Sequence, residues 1–279
     1  MPDVKIQFTN PNRDNYARNI MYASALGYRM TEKDRHKGAT AVLVGSGPSL
    51  NTTLVIQALN GYWGRREDEQ APVIFYGLKA AIQWLADHHM PPDYGVSIDP
   101  GAHIACPEKI PKVPGVTHIM ATVTAPEVFE YLDGEKVELF NSVCGLEEEV
   151  LLYDTLLGDK SMAMGGYNVI NRALGVAQMH GCEQFVLAGA DSGWREGQAL
   201  YCDGTTTMMQ KKIFMNDAGL VDGTQWESTP DMVASAVALA RWAKNFDEKG
   251  EAEKVRFLGD VLPEKLRHKD EKFLQEVAS

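Results

Sequence analysis

Short apolar runs alternate with longer segments of helical periodicity through most of the chain. Seven of these runs predict β-strands, and they cover residues 41–44, 73–76, 94–98, 118–123, 137–140, 185–188 and 255–258. Several of the runs are continuously apolar, which is typical of strands that are buried on both faces of a parallel sheet.

Helical segments separate several of the runs. Apolar residues recur at helical spacing over residues 78–88, 167–180 and 230–246. Thr229 and Pro230 suit the N-cap and the first position of the third helix, and Gly181 suits the C-cap of the second. This repetition of strand, helix and strand predicts a Rossmann-like, doubly wound α/β fold with a mostly parallel sheet.

The two ends of the chain differ from its centre. Residues 1–36 are interpreted as an N-terminal helical extension, with a helix over 15–26 that packs on the edge of the domain. Residues 37–263 form the predicted Rossmann-like domain, and 264–279 predict a charged C-terminal helical tail.

Composition and charge narrow the classes of function. The chain has 279 residues, and 44% hydrophobic and 23% charged residues indicate an ordinary soluble globule. A net charge of −11 with scattered basic residues argues against a nucleic acid polymer as partner.

The four cysteines show no CxxC spacing, which favours reduced thiols over zinc. Without a signal peptide pattern or an apolar run of bilayer length, we expect a cytoplasmic protein with no membrane partner.

The clearest candidate for ligand binding is the loop after the first apolar run. Its candidate phosphate-binding residues are Gly45, Ser46, Gly47, Pro48 and Ser49. Glycines allow a close approach of backbone to ligand, and amide N–H groups, hydroxyls and a helix N-terminus bind phosphate. The loop lacks the Lys of a Walker A motif and the third glycine of the dinucleotide fingerprint. A plain strand-to-helix turn is the alternative.

Two aspartates follow predicted strands, at the edge where open α/β sheets bind ligands. Asp99 and Asp191 could face each other there and share a Mg²⁺ that contacts phosphate oxygens. For Asp99 the alternative is a turn or cap before Pro100. His103 lies just after Asp99 and is a candidate general base, although a surface histidine is the commoner outcome.

A second helix start offers further polar groups. Gly165 and Gly166 precede the helix predicted over 167–180 and could present its N-terminus to an anion. Asn168 could contact a base or a sugar, whereas a close contact between helix and sheet explains the glycines equally well. Gly77, which ends the second apolar run, completes the predicted nucleotide-binding set.

A resemblance to a known family rests on five stretches taken in order. They are AVLVGSGPSL at 41–50, IFYGLKAAIQWL at 74–85, MPPDYGVSIDP at 90–100, GGYNVINRALGVAQMHGCEQFVLAGADSGW at 165–194 and FLGDVLP at 257–263. Together they resemble the 6-hydroxymethylpterin pyrophosphokinase MptE-like family, whose domain is shared with motility accessory factors. The short N-terminal helix is similar to versions carried by bacteriophages.

The resemblance implies a Rossmann-like fold and a nucleotide donor. Characterised members transfer a diphosphate from ATP to a hydroxymethyl group on a pterin, with Mg²⁺. This implies that the loop binds phosphate and that Asp99 and Asp191 lie at the metal. Sialyltransferase-like relatives use a CMP-sugar and a late catalytic His, but residues 194–204 contain no His, which argues against that mechanism.

The sequence is compatible with three functions. The leading one is a Mg²⁺-dependent, diphosphokinase-like transferase that acts from ATP on a hydroxymethyl-type acceptor. The second is a glycosyltransferase that uses a CMP- or UDP-sugar. The third is a non-catalytic protein that binds a nucleotide. The expected partners are a nucleotide and a small-molecule acceptor, and a homo-oligomer is left open.

Overall fold

The computed structural model describes residues 13–66, 72–102, 107, 110–142, 147–158, 162–163, 168–195, 198–202, 204, 213–215 and 226–278. Within these residues the strands form a sheet of eight and a sheet of three. The strands are β1 (Thr40–Val44), β2 (Val73–Leu78), β3 (Tyr94–Ser97), β4 (Thr117–Ala121), β5 (Val137–Ser142), β6 (Met162–Ala163), β7 (Gln184–Ala188), β8 (Trp194–Arg195), β9 (Ile213–Met215), β10 (Trp226–Ser228) and β11 (Val255–Leu258).

The eight-stranded sheet is parallel at every pairing of its described strands. Its order is β11-β7-β1-β2-β3-β4-β5-β6, and the small antiparallel sheet has the order β8-β10-β9. All seven apolar runs are strands of the large sheet, so the predicted doubly wound α/β fold is confirmed.

Helices connect these strands and extend the fold at both termini. They are α1 (Arg13–Ala25), α2 (Thr53–Trp63), α3 (Ala80–Asp87), α4 (Pro126–Tyr131), α5 (Glu147–Leu157), α6 (Val169–Met179), α7 (Pro230–Glu248), α8 (Leu262–Arg267) and α9 (Glu271–Ala278). Short 3₁₀ turns lie at Pro48–Asn51 and Ala252–Lys254. The C-terminal segment therefore holds two short helices where the sequence predicts one. None of the described helices combines the length and apolar character needed to cross a bilayer.

Side chains of the sheet alternate between two apolar layers. Leu43 of β1 packs in one layer with Leu174 of α6 and Leu239 of α7. Val42, on the opposite face, packs with Leu59 of α2 and with side chains of α3. Because the strands are covered on both faces, continuous apolar runs are the pattern that this sheet requires.

The direction of strand addition reverses at β1. Strands β2 to β6 follow in sequence order on one side of β1, whereas β7 and β11 lie on its other side. The loops after β1 and β7 therefore leave neighbouring strands at the carboxyl edge and lead to opposite faces. This reversal is the switch point at which open α/β sheets bind ligands.

Candidate functional site

The loops after β1 and β7 touch at this switch point. Gly45 N donates to Ala188 O at 2.8 Å, and Gly47 N donates to Gly189 O at 3.0 Å. A Cβ on Gly45 would lie 2.5 Å from Gly189 O, and one on Gly189 would lie 2.3 Å from Gly45 O. Glycine is therefore required at both positions for the two loops to meet.

In the loop predicted to bind phosphate, several amide and hydroxyl donors already form hydrogen bonds to other parts of the protein. The Ser49 amide donates to Asp191 Oδ1 at 3.1 Å, and the Ser49 hydroxyl donates to Asp191 Oδ2 at 2.7 Å. The Ser46 hydroxyl donates to Leu78 O at 3.0 Å, which ties the loop to the end of β2. Pro48 begins the 3₁₀ turn and has no amide hydrogen to offer. Phosphate binding by this loop stays a prediction.

Asp191 is a buried carboxyl group with a shifted pKa. Its side chain is enclosed by the two loops, and only 5% of the residue is exposed. Burial raises its pKa from 3.8 to about 7; the hydrogen bonds from Ser49 oppose this rise, and the charge of Asp260 adds to it. A carboxyl group of this kind changes its protonation state near neutral pH, as groups at functional sites often do.

Asp99 lies beyond the end of β3 and forms an ion pair with Lys79, which directly follows β2. Lys79 Nζ is 2.7 Å from Asp99 Oδ2, and the two side chains are 39% and 14% exposed. Lys79 has φ +50° and ψ −123°, a conformation that residues other than glycine rarely adopt. Sequence reasoning missed Lys79, although it lies inside the matched stretch at 74–85 and directly after an apolar run.

Asp99 and Asp191, the two predicted metal ligands, both interact with other protein groups in this structure. Asp99 is engaged by an ammonium group and Asp191 by Ser49. Across the described part of the chain, no group of three or more His, Cys, Asp and Glu side chains could hold a metal. These residues fit a shared Mg²⁺ poorly, since both carboxylates would first have to exchange their partners. The shared metal stays a prediction.

Two other predicted site residues have local structural contacts. Gly77 lies within β2, and a Cβ there would be 3.0 Å from Pro92 Cγ and 3.1 Å from Ile82 Cγ1. Gly77 therefore allows the close packing of α3 on the sheet. Asn168 is the N-cap of α6, where its side chain accepts a hydrogen bond from the Asn171 amide at 3.3 Å. A role of either residue in nucleotide binding stays a prediction.

Three further predicted residues lie outside the described residues. They are the candidate base His103 and the candidate anion-binding pair Gly165 and Gly166.

A charged cluster that sequence reasoning missed lies on the β7 side of the switch point. Arg195 and Lys265 both form ion pairs with Asp260, with Lys265 Nζ 2.9 Å from Asp260 Oδ1. The Arg195 guanidinium also lies over the Trp226 ring, 4.6 Å from its centroid. Asp260 follows β11, the strand beside β7, which explains its influence on Asp191. Of these residues, Asp260 alone comes close after an apolar run, at 255–258, and this position is the sequence signal that could have found it.

The fold is that of a Rossmann-like α/β protein with its switch point between β1 and β7. The chain belongs to the 6-hydroxymethylpterin diphosphokinase MptE-like family, whose model matches residues 14–197. Among curated proteins, none matches this chain in sequence.

A similar solved structure is that of the MAf glycosyltransferase from Magnetospirillum magneticum AMB-1. The two structures superpose with a TM-score of 0.57 at 16% sequence identity, over 94% of this chain and 42% of that one. The chain therefore spans less than half the length of that protein. At this identity the likeness shows a shared fold.

Proposed function

We propose that the chain is a nucleotide-dependent transferase whose donor binds at the carboxyl edge of the sheet, over the loop after β1. The observation that carries this proposal is the switch point between β1 and β7, where Ser49 and Asp191 join the two loops. Open α/β sheets bind ligands in the crevice at this point. The family and the structural neighbour, both of which bear the names of transferases, support the same class of activity.

The reaction we favour is transfer of a diphosphate from ATP to a hydroxymethyl-type acceptor, in keeping with the name of the family. The acceptor oxygen forms a bond to the β-phosphorus, and the bond from this phosphorus to the oxygen that bridges to the α-phosphorus breaks. AMP leaves, and the hydroxyl proton passes to water. Phosphoryl transfer depends mainly on positioning and charge neutralisation, so it does not require a strong protein base.

In this proposal the donor arrives as the Mg²⁺ complex of ATP, so the metal enters with the substrate. Asp191 positions the loop through Ser49 and does not need to bind the ion. Asp99 lies on the other side of the loop, where its charge is already balanced by Lys79. Both aspartates therefore contribute through the shape and charge of the crevice.

The second candidate is a glycosyltransferase that uses a CMP- or UDP-sugar. Its support is the structural likeness to the MAf glycosyltransferase over 94% of this chain. In that reaction the acceptor oxygen bonds to the anomeric carbon, and the nucleotide leaves with the oxygen that held the sugar.

Product analysis after a binding screen separates these functions. The purified chain is titrated with ATP, CMP-sugar and UDP-sugar, each with Mg²⁺ or with EDTA, and a hydroxymethylpterin is then added as acceptor. Release of AMP from ATP supports diphosphate transfer. Release of CMP from the CMP-sugar, or of UDP from the UDP-sugar, supports glycosyl transfer. Binding without any product leaves a nucleotide-binding protein, and the absence of binding to every donor contradicts the proposal. Asp191→Asn, which removes the buried carboxylate beside Ser49, should lower the release of product, and Asp133→Asn, an exposed substitution near the amino edge, is its matched control.

A further inference from the structure

We propose that the Lys79 ammonium binds the diphosphate portion of the nucleotide, and that Asp99 holds this ammonium in place until the nucleotide arrives. This inference rests on the proposed function and names the side chain that contacts the phosphates. It also gives Asp99 a role other than metal ligand.

The backbone of Lys79 supports a functional role for this residue. Its φ of +50° lies in a region that glycine adopts freely and other residues adopt at a cost. Lys79 fills the single position between β2 and α3, and its carbonyl accepts from Ile82 N at 3.0 Å in the first turn of the helix. Glycine would suit this position better if only the turn mattered. A lysine in a strained turn at the ligand-binding edge is the kind of outlier from which a function is inferred.

The surroundings of the ion pair leave the ammonium accessible and anchor the backbone at Asp99. The Lys79 side chain is more exposed than that of Asp99, so a ligand would meet the cation first. The Asp99 backbone carbonyl accepts from Ala125 N at 3.0 Å. Asn19 Nδ2 then donates to Pro100 O at 2.9 Å and to Val123 O at 2.8 Å, which secures the adjoining loops. The backbone that carries Asp99 is therefore well anchored, and the Asp99 carboxylate holds the end of the flexible lysine side chain through the ion pair.

The position of Lys79 relative to the loop fits a diphosphate. The Ser46 hydroxyl bonds to Leu78 O, the carbonyl directly before Lys79, so the cation lies on the β2 side of the loop. Asp191 lies on the β7 side of the same loop. An ammonium group has three donors, so it can keep one bond to Asp99 while it binds phosphate oxygens. Phosphates that cross the loop toward β2 would thus meet a positive charge that the protein itself supplies.

Calorimetric titration with inorganic diphosphate and with ATP, both in EDTA and in Mg²⁺, tests this inference. Lys79→Met keeps the length of the stem and removes the charge, so we expect it to weaken both ligands about tenfold or more in EDTA. Lys79→Arg should retain most of the affinity, and adenosine should bind all variants alike. Asp99→Asn should bind diphosphate in EDTA as tightly as the wild type or more tightly. An Asp99→Asn protein that loses affinity only in Mg²⁺ would instead assign Asp99 to the metal.

A comparison of two neutral variants tests the strain separately from binding. Lys79→Gly and Lys79→Met both lose the ion pair, but the glycine variant also relieves the backbone, so it should melt at the higher temperature. A lower melting temperature for Lys79→Gly would contradict the argument from strain. If the wild type binds ATP and Lys79→Met binds it equally well, the inference fails while the proposed function stands. If the wild type binds diphosphate but no nucleotide donor, the proposed function fails instead.

Discussion

The Asp191 carboxylate accepts two hydrogen bonds from Ser49, one from the amide at 3.1 Å and one from the hydroxyl at 2.7 Å. These residues are 142 positions apart in the chain, and their contact joins the loop after β1 to the loop after β7. The crevice at the switch point is therefore shaped by an interaction between a buried acid and the loop that is predicted to bind phosphate.

Asp191→Ala should destabilise the protein by about 2–4 kcal/mol, because it leaves the buried Ser49 amide without its acceptor and opens a small cavity. Asp191→Asn should cost less, since the amide oxygen can still accept from Ser49 N and the NH₂ group can donate to Ser49 Oγ. Urea denaturation followed by circular dichroism measures both free energies of unfolding. Equal losses in the two variants would show that these hydrogen bonds contribute little.

Asp191 should also make the stability of the fold depend on pH. Its folded pKa of about 7 lies above its ordinary value of 3.8, so between these values the folded protein holds a proton that the unfolded chain has lost. The bound proton stabilises the folded state. This stabilisation is complete below about pH 4, declines as the pH rises, and is lost above about pH 7. At about 1.4 kcal/mol for each pKa unit, its full size is on the order of 4 kcal/mol.

Unfolding measured from pH 4 to 8 in wild type and Asp191→Asn checks this sign. The stability of Asp191→Asn relative to wild type should rise with pH across the window. A relative stability that stays constant or falls with pH would show that the pKa of the carboxyl group is at or below its ordinary value.

Gly47→Ala should strongly destabilise the loop, although Gly47 has an ordinary φ of −65°. A Cβ at this position would lie 1.9 Å from Asp191 Oδ2 and 2.7 Å from Gly189 O, so the two loops would have to separate. We expect a loss of about 2–3 kcal/mol or more, together with weaker binding of any nucleotide. Thermal and urea unfolding measure the change in stability.

Gly61→Ala is the matched control for this substitution. Gly61 lies in α2, and a Cβ there would meet no atom within 4 Å. The alanine should therefore stabilise the helix by up to about 1 kcal/mol. If Gly47→Ala behaves like Gly61→Ala, the close contact between the two loops is not required for the fold.

The large sheet could be predicted from sequence because its strands are short, continuous apolar runs whose burial on both faces determines their composition. The small sheet could not, since β8 and β10 have two and three residues and show no periodicity. The order of the strands could not be predicted either, because nothing in a single sequence shows that β1 lies between β2 and β7.

The candidate site was predictable only where a residue type carries its own signal. Glycines and aspartates after strands identified Gly45, Gly47 and Asp191, whereas their mutual contacts depend on the strand order. Lys79 was missed because a lysine after an apolar run is unremarkable until its backbone conformation is known. Asn168 is a helix cap, a role that its sequence position before α6 would have allowed.

His180 should give the fold a second pH dependence, of the opposite sign. This histidine is buried at the amino edge of the sheet, where Nε2 lies 2.8 Å from Thr31 Oγ1 and Nδ1 lies 2.8 Å from Tyr76 OH. Burial, followed by the charges of His36 and Arg35, lowers its pKa from 6.5 to about 3. Between these values the unfolded chain binds a proton that the folded protein does not, so stability falls as the pH falls from about 6.5 to about 3.

His180→Gln isolates this contribution, because glutamine keeps a polar group near Thr31 but does not titrate. The variant should be less stable than the wild type at pH 8 by about 1–3 kcal/mol, since the bond to Tyr76 is lost. The difference should shrink as the pH falls below 6.5, where the wild type loses its own stabilisation. Urea unfolding of both proteins at intervals from pH 8 to 4 measures this difference. If the difference in free energy of unfolding between the two proteins did not change with pH, His180 would be protonated in the folded protein as readily as in the unfolded chain.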